Sequence, residues 1–298
     1  MPAVILRYEN KEIKVSNPDK YLWPELEIKK IDYIHHLIKL APFILKHISN
    51  RPLTVIRYPN GVHEHSFYQK HLPDYSPKWV DHIRKNKEKY IILNTLPVLV
   101  WLGNQAALEF HATFNRIAHP NNPEAIVFDL DPSEGQNFED VAHAALLIRD
   151  TLSSLQITSF PKTSGASGLQ IYIPVGHRYT YEQARNINGF FGSYFSSKYP
   201  HFFTIERTVN KRGRKIYFDY LQMWSNKTII SPYSPRAVDT AAVSTPITWK
   251  ELEKGCRPED FTLLNIHSRL KQKGDLFNNL YIPESYQNLS FILENISE

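Results

Sequence analysis

The sequence has one cysteine, Cys256, among its 298 residues, so no disulfide can form within the chain and a cysteine-rich zinc site is excluded. Glycine is scarce, with 11 residues against 20 prolines, which excludes collagen-like and flexible low-complexity compositions. No apolar run approaches the roughly 18–20 residues that a membrane-spanning helix needs. The N-terminal run Val4-Ile5-Leu6 is interrupted by charges before it reaches signal-peptide length. No internal repeat is visible. These absences lead us to expect a cytoplasmic protein with no membrane partner. At 42% hydrophobic and 22% charged residues, the composition is that of a globular chain with a sizeable core.

The net charge of +5 is small, but its distribution is uneven. Residues 126–160 carry −5, from one Lys+Arg against six Asp+Glu, and residues 161–236 carry +8, from eleven against three. An acidic stretch followed by a basic one suits binding of cations and of phosphates, respectively.

Apolar spacing predicts a helix from Ile28 to His47, kinked or divided at Pro42, and a strand from Pro52 to Tyr58 that closes at Pro59-Asn60-Gly61. Leu93 to Glu109 reads as a turn followed by a helix. Strands are expected at 125–130, 157–160 and 169–174, and helices at 138–155 and 180–198. A hairpin is expected from 202–209 to 215–221. The tail from Trp249 reads as helical and acidic. The fold class is α+β, with mixed or antiparallel sheets flanked by helices.

The candidate chemistry begins with Asp129 and Asp131 at the end of Ile126-Val-Phe-Asp-Leu-Asp-Pro132. Positions i and i+2 of a strand share a face, so the two carboxylates repel and favour a hard divalent cation between them. The simpler reading is a solvated strand end. Asp219, in Tyr217-Phe-Asp219, either joins them or is satisfied by an arginine. Pro161-Lys162-Thr-Ser164-Gly-Ala-Ser-Gly168 is small and rich in donors, as a phosphate cradle requires, although an ordinary strand connection has the same composition. The basic turn Lys211-Arg-Gly-Arg-Lys215, then Lys227 and Arg236, supply further cations. His111 is a phosphate contact or a helix cap. Lys20, Lys29, Lys30 and the aromatic-rich loop 59–70 combine charge with rings, which suits nucleic acid as well as simple packing.

Seven segments in order carry a resemblance: Asn17-Pro-Asp-Lys20, Arg57-Tyr-Pro-Asn-Gly61, Ala106-Ala-Leu-Glu-Phe-His111, Phe128-Asp-Leu-Asp-Pro132, Ser164-Gly-x-x-Gly-Leu169, Phe218-Asp219 and Pro232-Tyr-Ser-x-Arg236. The chain resembles the polymerase domain of bacterial DNA ligase D, within the archaeo-eukaryotic primase superfamily. The resemblance implies a primase-polymerase architecture with an RRM-like catalytic core. It also implies nucleotidyl transfer from NTPs or dNTPs at DNA ends and gaps during non-homologous end joining, with ribonucleotides favoured. Two divalent cations, Mn2+ or Mg2+, would be held by Asp129, Asp131 and Asp219. The nucleotide would be bound by His111, Lys162, Ser164, Gly168, Gln170, Lys227 and Arg236. Lys20 and Lys30 fall where the family grips a 5′-phosphate, and Phe67 and Tyr68 where it packs on template DNA. Gln170 departs from the family, which commonly has His there. Ku and a DNA ligase are the implied partners. Residues 1–120 are expected to form an N-terminal subdomain with the DNA-end elements, and 121–298 a catalytic subdomain with a helical tail, together one polymerase domain. No ligase or nuclease segment accompanies them, which points to a stand-alone member or an excised domain. Two rival readings are a non-catalytic DNA-end or gap-binding module and a haloacid-dehalogenase-type phosphatase.

Overall fold

The computed structural model describes residues 4–296. The chain divides into two units. One comprises the residues up to Thr113 together with 228–244 and 261–272, and the other 114–227, 245–260 and 273 onward.

The first unit is built on an antiparallel sheet in the order Thr228–Ile230, Ala107–Thr113, Leu53–Arg57, Phe67–Gln69. Its long helix, Lys30–Ile48, buries Tyr33, Ile34, Leu37, Leu40, Ala41, Ile44 and Ile48, the i, i+3/i+4 stripe expected of one apolar face. It begins at Lys30 because Ile28–Lys29 is a short strand paired with Tyr21–Trp23. Asp32 accepts a hydrogen bond from the Lys29 backbone N–H at 3.1 Å and places a carboxylate in the first turn. Of the kink or division expected at Pro42, the structure shows no division: the helix runs on unbroken through it. The proline position is exposed, so the carbonyl that loses its N–H partner can turn to water.

The second helix stops at Asn104, five residues short of the expected end. Ala106, at φ 54°, turns the chain, and Ala107–Thr113 is a strand. That strand is buried on both faces, so it lacks the alternation that separates a strand from a buried helix. Glu109 and His111 therefore share one face of a strand.

The second unit holds a five-stranded mixed sheet in the order Phe160–Thr163, Leu169–Pro174, Ala125–Asp131, Ile216–Phe218, Phe203–Thr204. Every pair is antiparallel except the last, which is parallel. The expected hairpin over 202–221 is thus absent. Parallel strands need a long crossover, and residues 205–215, with a 3-10 turn at Val209–Lys211, provide it. The expected strand at 157–160 lies three residues later. The helices Phe138–Ser154 and Tyr181–Lys198 start where Asn137 and Thr180 accept hydrogen bonds from Asp140 N and Gln183 N. The expected helical tail is a set of short pieces, Trp249–Glu253, Ile266–Lys273 and Ser290–Ile296.

Ile126, Phe128 and Leu130, all fully buried, form one face of the central strand. Phe128 meets Phe191 and Phe218 at ring-centroid distances of 5.1 and 4.9 Å, and Phe195 and Phe203 extend the cluster. Gly192 lets the helix approach, because a Cβ there would lie 3.2 Å from the Phe218 ring. The opposite face carries the buried Ala125 and Val127 and, at the strand's end, Asp129 and Asp131. We predict that Phe218→Ala lowers stability by about 3–5 kcal/mol in urea unfolding. Val209→Ala, at a residue 68% exposed, should change it by less than about 0.5 kcal/mol.

Candidate functional site

Strand pairing gathers the three carboxylates. Asp129 stands opposite Gln170 on one neighbouring strand, and Leu130 and Asp131 stand opposite Phe218 and Tyr217 on the other. Asp219 follows directly, with its backbone N–H on the Asp129 carbonyl at 3.0 Å. Its Oδ1 accepts from Tyr217 Oη at 3.1 Å and from Leu221 N at 3.0 Å, which leaves Oδ2 without a hydrogen bond among the described residues. Asp129 Oδ1 likewise accepts from Gln170 Nε2 at 3.2 Å, while its Oδ2 accepts none among the described residues.

Burial, the Asp131 charge and the Asp219 charge together push the Asp129 carboxyl well above its ordinary range, with Gln170 and Lys162 pulling the other way. Burial, and then Asp219, also raises the Tyr217 phenol. Among the described residues no group of three or more His, Cys, Asp and Glu is already drawn together as a metal cage. The donor chemistry nevertheless fits Mg2+ or Mn2+, with hard oxygens, mutual repulsion and two uncommitted carboxylate oxygens on adjoining strands.

Lys162 lies within the strand Phe160–Thr163 and not in the loop, fully buried, opposite Gln170 and 5.9 Å from the centre of the Tyr172 ring. The loop proper, 164–168, closes on itself. Ser164 Oγ accepts from Ala166 N and Gly168 N, each at 3.1 Å, and Ser164 N donates to Gly168 O at 3.0 Å. With its lone pairs so used, the Ser164 hydroxyl can turn its proton outward. A Cβ on Gly168 would lie 2.8 Å from Leu130 O and 3.1 Å from Asp131 Oδ1, so only glycine lets the loop lie against the carboxylate strand. Arg212 caps the Tyr217 ring at 3.6 Å.

In the other unit, Glu109 is 4% exposed. Its Oε2 lies 3.0 Å from His111 Nε2 and 3.2 Å from Arg236 Nη1, and its Oε1 accepts from Ala237 N at 3.2 Å. Burial would raise this carboxyl, but His111, Arg236 and Ala237 together hold it below its ordinary value. The loop that carries Arg236 is clamped by Ser234, whose Oγ accepts from Phe110 N at 2.9 Å, and by Arg236 N on Ala242 O at 2.8 Å.

The same unit carries a cluster of cations. Lys20 Nζ donates to Pro59 O and Asn60 Oδ1 at 3.1 and 3.0 Å. The Lys30 ammonium is buried and donates to Ser16 O, Ser16 Oγ and Asn104 O at 2.8, 3.3 and 3.2 Å. Its pKa falls to about 8, first through burial and then through repulsion by Lys20 and Arg57. Arg57 lies 5.0 Å from the centre of the Phe67 ring, and Phe67 and the 72% exposed Tyr68 sit on an edge strand. Lys227, which belongs to the second unit, is exposed at the end of a turn and makes no ion pair among the described residues.

The structure thus groups Asp129, Asp131, Asp219, Lys162, Ser164, Gly168 and Gln170 in the second unit. His111 joins Arg236, and Lys20 joins Lys30 and the Phe67 strand, in the first. Glu109 and Arg57 escaped the sequence reading as site residues. Both lie inside segments that carry the resemblance, and their further signals were an acid within an apolar run and a cation at the end of a strand.

Residues 29–277 match the family described as LigD, primase-polymerase domain. The Bifunctional non-homologous end joining protein LigD of Bacillus subtilis is 36% identical over 288 residues, covering 96% of this chain and 47% of the relative. A Multifunctional non-homologous end joining protein LigD of Mycolicibacterium smegmatis is 32% identical, covering 91% and 36%. The chain therefore spans about half or less of the length of these curated relatives. The polymerase domain of Mycobacterium tuberculosis ligase D, solved in complex with DNA, superposes with a TM-score of 0.83 at 31% identity, covering 90% of this chain and 97% of that one. The motifs, the sheet that assembles them and these matches agree, and the chain belongs to the LigD primase-polymerase domain family.

Proposed function

We propose that this chain is a DNA-directed nucleotidyltransferase that fills gaps and extends ends in non-homologous end joining, with ribonucleotides preferred. The observation that carries the reading is the meeting of Asp129, Asp131 and Asp219 on adjoining strands beside the Ser164–Gly168 loop, in a chain of this family. Asp129, Asp131 and Asp219 would hold two Mg2+ or Mn2+ ions. Such ions supply Lewis acidity toward an attacking 3′-hydroxyl and a departing pyrophosphate. Gln170 orients Asp129 through its amide, and Tyr217 with Leu221 N orients Asp219. Ser164 is suited to donate its hydroxyl proton to a phosphate oxygen, and Gly168 keeps that loop close. His111, Arg236 and Lys227 are assigned to the triphosphate. The buried Lys162 acts on the carboxylates as a fixed counter-charge.

The Mycobacterium tuberculosis domain was solved with DNA, and we extend DNA binding to this chain. Lys20, Lys30 and Arg57 crowd three cations together, an arrangement that an anion relieves, and a DNA 5′-phosphate fits it. The exposed Phe67 and Tyr68 offer ring faces for stacking on bases. Ku and a DNA ligase are the partners that the family implies. No helix among the described residues is long and apolar enough to cross a membrane, and we assign the work to the cytosol and nucleoid.

Asp129→Ala with Asp131→Ala should abolish primer extension on gapped 5′-phosphorylated DNA, while DNA affinity stays within about threefold. Extension that survives in the double variant refutes the assignment, as does metal-dependent hydrolysis of simple phosphate esters without a template.

Lys30 generates a pH test. Its charge is present below about pH 8 and lost above it, so the preference for 5′-phosphate over 5′-hydroxyl gapped DNA should decline between pH 7 and 9. Fold stability should move the other way. The folded pKa lies below the ordinary 10.5, so between about 8 and 10.5 the unfolded chain binds more protons and stability rises with pH. A phosphate preference unchanged across that range, measured by titration of both DNAs, would remove Lys30 from the site.

A further inference from the structure

We propose that Glu109 is the positioning residue of the triphosphate contacts, fixing His111 and Arg236 in one arrangement before nucleotide arrives. The proposal rests on the assignment of those two side chains to the triphosphate.

Glu109 lies between Leu108 and Phe110, both fully buried, in a strand buried on both faces. A carboxylate in such a setting is costly unless hydrogen bonds and opposite charge surround it. Three donors meet it, and they come from two places in the chain. His111 shares its strand face by the period of two. Arg236 and Ala237 arrive from a loop 127 and 128 positions further along, held by its own backbone bond to Ala242 and by Ser234 on Phe110 N. One carboxylate thus ties together an arginine and an imidazole remote in sequence.

The geometry has chemical consequences on both sides. An ionised carboxylate only accepts, so Nε2 is the nitrogen of His111 that bears the proton, which sets the ring's tautomer and plane. Arg236 commits Nη1 to Glu109. Its Nε is buried without a hydrogen-bond partner among the described residues, while the side chain as a whole stays about one-fifth exposed. A single negative charge holding an arginine and an imidazole leaves the group suited to an anion. The pre-set geometry saves the ordering cost that two loose side chains would incur on binding.

The test uses Glu109→Gln in the whole chain, which keeps shape and one acceptor and removes the charge. In nucleotide-free protein, nitrogen-15 spectra of the His111 ring should show the Nε2–H form in the parent and a mixture of forms in the variant. In gap filling, the KM for nucleotide should rise about tenfold or more, with kcat within about threefold and the affinity for gapped DNA unchanged. In an Arg236→Ala background the same change should raise KM by clearly less than it does in the parent, because one of the two residues it acts through is gone. Thermal melting reports whether the variant folds. Should it fail to fold, Glu109→Asp, which keeps the charge but withdraws it by one methylene, is measured in its place with the same expected rise in KM. An unchanged His111 spectrum, an unchanged KM, full additivity with Arg236→Ala, or a loss confined to kcat overturns the proposal. If the parent chain incorporates no nucleotide, the polymerase reading fails, and the His111 spectra still decide whether Glu109 fixes the ring.

Discussion

Like charge brought together at the end of a strand is the constraint on which the second unit depends. Asp129, Asp131 and Asp219 raise one another's energy in a partly desolvated position, and nothing about their local sequence would hold them there. What holds them is the sheet. The central strand is anchored from behind by Phe128, Phe191, Phe195 and Phe218, and its apolar alternate positions leave the acids only one face to occupy. The parallel pair at the sheet's far edge secures the strand that ends in Asp219. The stability of the aromatic layer sustains the strained front, a division in which the core supplies the energy that the site consumes.

Each unit manages buried charge by local compensation. Lys162 is fully buried and counters the acids it lies near. Lys30, 5% exposed, donates to three oxygens, which offsets its desolvation without removing the repulsion from Lys20 and Arg57. Glu109 is the acidic counterpart, saturated by three donors. A buried ion with matched partners has little freedom of position, and that rigidity is the property an anion-binding or metal-binding surface needs.

Much of this was legible in the sequence, for identifiable reasons. The run 126–131 announced a strand because acids alternate with fully buried apolar residues, and its face assignment followed from the period of two. The helix expected over 180–198 is found at 181–198, with Thr180 as its cap. Other features left no local trace. The end of the second helix at Asn104 was hidden because apolar residues continue through Ala112 and are buried whichever element they form. The parallel pairing of Phe203–Thr204 depends on a partner strand eleven residues away and not on composition. Lys162 looked like a loop donor because it leads into the small, donor-rich segment 163–168. The strand is an edge one, where proline is tolerated, and the lysine it carries points to burial instead of solvent. Glu109 was part of a motif, yet its role appears only once Arg236 is brought to it from the far side of the chain.

Gln170 stands where the resemblance implies a histidine, and the structure shows what an amide does there. At this position the side chain has two tasks open to it, orienting Asp129 and adding positive charge. The amide performs the first, with Nε2 on Asp129 Oδ1, and its Oε1 is left buried without a hydrogen-bond partner. It cannot perform the second, since an amide does not take up a proton in this range. Lys162, across the strand pair from Gln170, already acts on Asp129 in the sense a counter-charge does. The substitution therefore keeps the geometry of the carboxylate and gives up one optional charge, in a unit where a buried lysine continues to balance the acids.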